Sequence, residues 1–260
     1  MKRNMTDLKN KWVAITGASS GFGRAAAVAF GSAGAHLMLG ARRMERLEET
    51  ARLALEAGAA SACPFSLDVS STPSVEEFGN ALAQRTSELQ VLINNAGGAL
   101  GVDTLLEGKD EDWETMLQTN VLGLLRVSRR LIPLMLRVEG ALVINVGSIA
   151  GRIPYEGGSV YCGAKAAELQ ITKALRLELC GTPVRVTSLD PGMAETEFSL
   201  VRYKGDAAKA QEVYRGVKAL TAEDIAQTML WLAERPAHVC IDELVIKPTA
   251  QAAPYKVARK

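Results

Sequence analysis

Short apolar runs recur along the chain, each followed by a longer stretch whose apolar positions repeat every three to four residues. Runs of the first kind read as buried strands and stretches of the second as amphipathic helices. Strands are expected at 12–15, 35–40, 61–67, 91–93, 141–146, 184–189 and 241–246. A glycine-rich turn after the first strand opens an alanine-rich helix to about 33. Further helices are expected at 44–57, 73–87, 112–138, 158–180 and 221–234. Trp113, Met116, Leu117, Val121, Leu124 and Leu125 form one stripe along the helix at 112–138, and Pro133 should kink its last turns. Thr221-Ala222-Glu223-Asp224 has the N-cap pattern that starts the last helix. The alternation predicts an α/β architecture: a seven-stranded, mostly parallel sheet with helices on both faces. Residues 191–220 lack a clear period. A loop that long in a compact domain is usually functional, here a substrate lid.

Composition narrows the class. At 260 residues the chain is long enough for one α/β domain, 1–260, without a disulfide or metal staple. A formal net charge of +1 gives no field that would favour nucleic acid or an anionic membrane. Cys63, Cys162, Cys180 and Cys240 form no CxxC pair, and His36 and His238 are the only histidines, so no metal site is expected. Reduced thiols suit a cytoplasmic protein. The polar start, Met1-Lys2-Arg3-Asn4, has no apolar core of a secretory leader behind it. The most apolar long stretch, 121–138, is interrupted by Arg126, Arg129, Arg130 and Arg137 and cannot span a bilayer.

The first chemistry lies at Gly17-Ala18-Ser19-Ser20-Gly21-Phe22-Gly23, between the first strand and its helix. Three glycines let a backbone approach a pyrophosphate, and the helix N-terminus offers free N–H groups to it. A site for NAD would carry an acid near the end of the second strand to bind the ribose 2′-hydroxyl. Arg42 and Arg43 stand there instead. Guanidinium groups hold a 2′-phosphate, so the sequence favours NADP.

Asn94-Asn95-Ala96-Gly97 after the fourth strand, Asn120, Ser148 after the fifth strand, and Tyr161-Cys162-Gly163-Ala164-Lys165 together resemble the short-chain dehydrogenase/reductase family, over essentially the whole chain. The resemblance implies a Rossmann-type, doubly wound single domain and hydride transfer. Part of the chemistry follows from the residues alone. Tyr161 and Lys165 are four apart on one helix face. A free tyrosine keeps its proton to about pH 10. An ammonium about 4 Å away at an effective dielectric near 20 contributes about 4 kcal/mol, which draws the phenol toward neutral pH. Tyr161 would then give a proton to a carbonyl oxygen, or take one from an alcohol, while Ser148 holds that oxygen. The family implies that Lys165 also holds the nicotinamide ribose and that Asn120 anchors a proton-relay water. It further implies that Asp68-Val69 contacts adenine, that Asn95 lines the cofactor with Ala96 and Gly97, and that Pro191-Gly192-Met193 and Thr196 flank the nicotinamide. Gly147 stands where many relatives carry a second serine.

Pro154-Tyr155-Glu156-Gly157-Gly158, residues 198–206 and the strings 219–225, 236–239 and 248–252 resemble a narrower branch, the NADP-dependent 3-hydroxy acid dehydrogenases, whose members act on serine, allo-threonine and 3-hydroxy acids. A related branch reduces sulfoacetaldehyde. Either substrate is a small anion, and a cation must meet it. Arg202 in the lid is the first candidate and Arg152, just after Ser148, the second. A homotetramer, with the helices of Trp113 and Tyr161 at its interfaces, is the family habit. A non-catalytic NADP sensor is the reading from another class; it conflicts with the intact set Asn120, Ser148, Tyr161 and Lys165.

Overall fold

Successive residues of each strand bury on opposite faces of the sheet, which explains the layering. In the computed structural model, which describes residues 5–260, Val13, Ile15, Leu37, Leu39, Ile93 and Ile144 bury on one face of a sheet. Ala14, Met38, Leu92, Val143 and Val186 bury on the other. The four residues Met1-Lys2-Arg3-Asn4, read above for a leader, lie outside the described residues.

The sheet contains β1 (Trp12–Thr16), β2 (His36–Ala41), β3 (Ser61–Ser66), β4 (Val91–Asn94), β5 (Leu142–Val146), β6 (Arg185–Pro191) and β7 (Glu243–Ile246), all parallel, in the order β3-β2-β1-β4-β5-β6-β7. This is the seven-stranded, doubly wound α/β sheet expected above. Against the first face pack α1 (Gly21–Ser32), α2 (Met44–Ala57) and α9 (Ala222–Ala233). Against the second pack α3 (Thr72–Ala83), α5 (Leu124–Leu131) and α6 (Ser159–Glu178). The strand order reverses between β1 and β4, so a crevice opens at the C-terminal ends of those strands.

Thr221 and Asp224 form a complete capping box at the start of α9. Its other end is closed by Arg185, a buried β6 side chain that donates to the carbonyls of Leu232, Ala233, Val239 and Gly140. Burial lowers the pKa of this guanidinium, and the negative end of the helix faces it. Beside it, the Thr6 amide and hydroxyl donate to the carbonyls of Glu234 and Arg235.

Several expectations need correction. The helix expected at 112–138 is composite: α4 (Asp110–Leu117), a π-helical stretch Gln118–Gly123, α5, and a 3₁₀ turn Ile132–Leu134 that holds Pro133. Asn120 Nδ2 donates to the Met116 carbonyl at 2.8 Å, competing with the backbone amide for that acceptor, and the helix widens there. β7 starts later than expected because the Ile241 carbonyl accepts from Thr187 Oγ1 at 2.7 Å. The 191–220 stretch is partly regular, with α7 (Phe198–Arg202) and α8 (Ala207–Glu212). A short hairpin, β8 (Gln251–Ala253) with β9 (Lys256–Val257), was not foreseen.

Candidate active site

At the C-terminal edge of the sheet lies a cleft of about 780 Å³. Its floor is the turn between β1 and α1. Gly17 has φ +66°, and a Cβ there would stand 2.8 Å from Asn95 Nδ2. Asn95 Nδ2 donates to the Thr16 carbonyl at 2.9 Å, while the amides of Asn95 and Ala96 both donate to Thr16 Oγ1. The ends of β1 and β4 are thus laced together by side chains, and Gly17, Ser19, Ser20, Gly21 and Phe22 face the cleft. Gly23 lies behind this wall, against the Gly17 carbonyl. The Ser20 side chain does not cap α1, so its hydroxyl does not compete for the N–H groups of the first turn.

One end of the cleft is cationic. Arg42 and Arg43 line it where β2 runs into α2. Arg43 donates to Ser20 Oγ at 2.8 Å and Ser19 Oγ at 3.3 Å, and pairs with Glu197 at 3.0 Å. Arg46 pairs with the same carboxylate at 2.6 Å. Burial alone would raise Glu197, but Arg43 and Arg46 hold its carboxyl below the usual range. Asp68 and Val69 form the neighbouring wall. Asp68 accepts from the amide and hydroxyl of Ser70 at 2.9 and 2.6 Å. Those bonds, with Arg42 and Arg126 nearby, outweigh its burial and keep the carboxyl low.

At the other end Ser148, Tyr161 and Lys165 converge with Gly97. Ser148 caps the 3₁₀ turn Ile149–Gly151 and accepts from the Ala150 amide at 3.1 Å. Tyr161 is 8% exposed, its ring 5.6 Å from that of Phe198 in α7. Lys165 is buried; Nζ donates to the Val146 carbonyl and to Glu168 Oε2, both at 2.8 Å. Burial would lower Lys165, yet the negative charge of Glu168 leads the opposing effects and holds the ammonium above its ordinary value. Asn120 stands just behind the cleft. Its Oδ1 accepts from the Gly98 amide and its Nδ2 donates to the Gly98 carbonyl, fixing the strand-end loop beside Lys165.

Pro191, Gly192, Met193 and Thr196 close the side between these two ends. The Met193 amide donates to Gln251 Oε1 at 2.7 Å, a partner from the unforeseen hairpin region. Nothing in the polar C-terminal string signalled that this glutamine would be buried. Arg202 lines the cleft with its cation 5.2 Å from the Tyr155 ring centre and 5.9 Å from that of Tyr161. It donates to the Gly101 and Gly157 carbonyls and to the Tyr155 hydroxyl, the last at 2.7 Å. Burial pushes the Tyr155 phenol up to about 12. Arg152, the second candidate for a substrate cation, is committed elsewhere. It pairs with buried Asp190 at 2.5 Å and with Glu243. The same arrangement explains Gly147: a Cβ there would overlap Asp190 Oδ1. Asn94 also turns away from the cleft, donating to Ser128 and Asn145.

The comparisons agree on one group of proteins. The short chain dehydrogenase family model matches residues 11–206. A sulfoacetaldehyde reductase of Chromohalobacter salexigens is 47% identical over 92% of this chain and 94% of its own. An NADP-dependent 3-hydroxy acid dehydrogenase of Schizosaccharomyces pombe is 41% identical over 98% of this chain and 99% of its own. The closed form of a serine dehydrogenase complexed with NADP+ superposes with a TM-score of 0.88 at 39% identity, covering 96% of this chain and all of that one.

Proposed function

The chain belongs to the short-chain dehydrogenase/reductase family, and from that premise we propose that it is an NADP(H)-dependent oxidoreductase acting on a small hydroxy acid or the corresponding carbonyl compound. One juxtaposition carries the reading: Ser148, Tyr161 and Lys165 share a cleft with the Gly17–Gly23 turn and with Arg42 and Arg43. The cradle fits a dinucleotide: Gly17, Ser19, Ser20, Gly21 and Phe22 line it, and the first-turn N–H groups of α1 are left without a side-chain cap. The two arginines fit a 2′-phosphate. When bound, NADP(H) supplies or accepts the hydride.

The protein's own work is proton transfer and orientation. The Ser148 hydroxyl donates to the substrate oxygen and holds it beside the Tyr161 phenol. In reduction Tyr161 gives its proton to that oxygen; in oxidation the phenolate takes it back. Lys165 stabilises the phenolate and offers a hydrogen-bond donor to the nicotinamide ribose. Asn120 positions the relay to solvent. Asp68, Val69, Asn95, Ala96 and Gly97 border the adenine and ribose. Pro191, Gly192, Met193 and Thr196 border the nicotinamide, and 191–220 closes as a lid.

Arg202 is the residue for the substrate's anionic group. Its hydrogen-bond partners are carbonyls and a phenol, so among the described residues its charge meets no carboxylate, unlike that of Arg152. A carboxylate or a sulfonate would suit it. The 47% identical sulfoacetaldehyde reductase therefore supports a second substrate reading within the same chemistry. Four free cysteines accord with a cytoplasmic protein. Leu117, Leu122 and Leu125, exposed along α4, the π stretch and α5, supply an apolar face for a homotetramer.

The test is absorbance at the nicotinamide band. NADP+ and NAD+ are each offered with L-serine, L-allo-threonine and 3-hydroxyisobutyrate, and NADPH with sulfoacetaldehyde. Turnover of the hydroxy acids with NADP+, lost in Tyr161→Phe, is expected. Turnover of the sulfonated aldehyde alone moves the substrate and keeps the mechanism. Tight NADPH binding without turnover of either kind overturns the enzymatic reading in favour of a sensor.

A further inference from the structure

Glu168 has no part in the chemistry above, yet it sits against it. The side chain is 3% exposed, one helical turn beyond Lys165. Oε2 accepts from Lys165 Nζ at 2.8 Å, while Oε1 is buried with no hydrogen-bond partner among the described residues. An under-satisfied buried carboxyl is costly and adds little to stability by itself. Nor does it serve the packing of α6 on β5. That link runs through the Glu168 backbone carbonyl, Thr172 Oγ1 and Asn145, and does not use the carboxyl.

We propose that Glu168 is a positioning residue for the Tyr161–Lys165 pair, its carboxylate anchoring Lys165 Nζ against the Val146 carbonyl and setting the pH at which the pair gives up a proton. The inference rests on the oxidoreductase reading of this site.

The charges around Glu168 decide the sign. Lys165 faces it from its own helix and Asp190 from β6, while Tyr161 acts on Lys165. Asp190 is paired with Arg152, which also holds Glu243 of β7; Lys173 of α6 holds Glu243 from the other side. Asn120 beside Lys165, and Asn145 and Thr172 beneath, are neutral. Arg152 therefore offsets Asp190, and Glu168 is the counter-charge of Lys165. A negative charge at hydrogen-bond distance makes the next proton harder to remove, whichever of Tyr161 and Lys165 releases it. Burial pushes Glu168 up to about 7 against the pull of Lys165. The hydrogen bond from the Lys165 ammonium favours the charged carboxylate. Removing that charge makes the cluster one unit more positive, and the pair titrates at lower pH.

The experiment uses Glu168→Gln and Glu168→Leu. The first keeps the shape and an acceptor for Lys165; the second fills the space with an apolar group. For hydroxy-acid oxidation with NADP+, the rising limb of kcat/KM against pH is expected to move down by about one pH unit or more in both variants. A limb that stays or moves up in the folded variants overturns the proposal and leaves Glu168 a packing residue. The same midpoint is read without turnover from the ¹³C shifts of labelled Tyr Cζ and Lys Cε in the NADP+ complex, assigned with Tyr161→Phe. A wild type that transfers no hydride thus sinks the oxidoreductase reading. The midpoint comparison still decides the role of Glu168.

Discussion

Replacing Arg43 with alanine should turn cofactor preference away from NADP. In the structure the guanidinium is divided among Ser19, Ser20 and Glu197, and its side chain is 44% exposed. The Glu197 pair is therefore solvent-screened and contributes about 0–1 kcal/mol. Two charge-assisted hydrogen bonds to a 2′-phosphate would contribute about 1.5–3 kcal/mol each at best. After the exposed pair is displaced and screening is allowed for, a net of about 2–3 kcal/mol remains. At 1.4 kcal/mol per tenfold, Arg43→Ala should lower kcat/KM for NADPH by about 30- to 150-fold. NADH carries no 2′-phosphate, so its constant should change by less than about threefold on the same energy scale. The assay is initial-rate oxidation of each reduced cofactor at fixed carbonyl substrate, with the ratio of the two constants as the readout. If both constants fall together, Arg43 supports the fold of the turn and not the phosphate. If neither falls, Arg42 or Arg46 holds the phosphate and the argument from Arg43 fails.

Tyr161→Phe should lower kcat by about 10²- to 10⁴-fold, as expected when a general acid–base group is lost, with NADPH binding by fluorescence titration unchanged. Arg202→Ala should reduce kcat/KM for anionic substrates at least tenfold more than for a neutral aldehyde of similar size, which corresponds to about 1.4 kcal/mol; equal losses would make Arg202 a lid strut only. Arg185→Met leaves the terminal carbonyls of α9 without buried donors. It should cost about 3 kcal/mol, seen as a thermal midpoint lower by about 6–12 °C, and a change under about 2 °C would contradict the capping role. Gly147→Ser forces a side chain onto Asp190 and should destabilise the fold by about 1–3 kcal/mol in a denaturant titration.

The layered sheet was legible because its strands are short continuous apolar runs buried on both faces, and the motifs because their chemistry is local. The Gly17–Gly23 turn, Arg42 and Arg43, and the Tyr161–Lys165 pair each lie within a few positions of one another, so spacing alone brings them together. What escaped was long-range or hidden by the period. Arg152 reads as a free cation until β6 and β7 bring Asp190 and Glu243 to it. Glu168 reads as one more charge on a helix surface until its helix lies against β5 and β6. Gln251 and Glu197 meet the cleft from segments with no regular period. The π stretch escaped because its apolar positions continue the stripe of α4; only the Asn120 side chain, bonding to Met116, distinguishes it from an unbroken helix.

The packing of α9 beside α1 also bears on how the chain is made. The buried face of α1 includes Ala26, Ala27 and Phe30, and it shares one hydrophobic cluster with Ile225, Met229 and Leu232 of α9. The two helices are separated by about 190 residues of chain. At about 5–20 residues per second, ribosomal synthesis takes roughly 10–40 s to cover that interval. During that time the nucleotide half has its strands but lacks the helix that covers it, and its apolar flank is open to chaperones or to other nascent chains. A stop codon placed before α9 should therefore yield an aggregating polypeptide, not a smaller cofactor-binding unit, even though the glycine turn and the two arginines that follow β2 would be present in it.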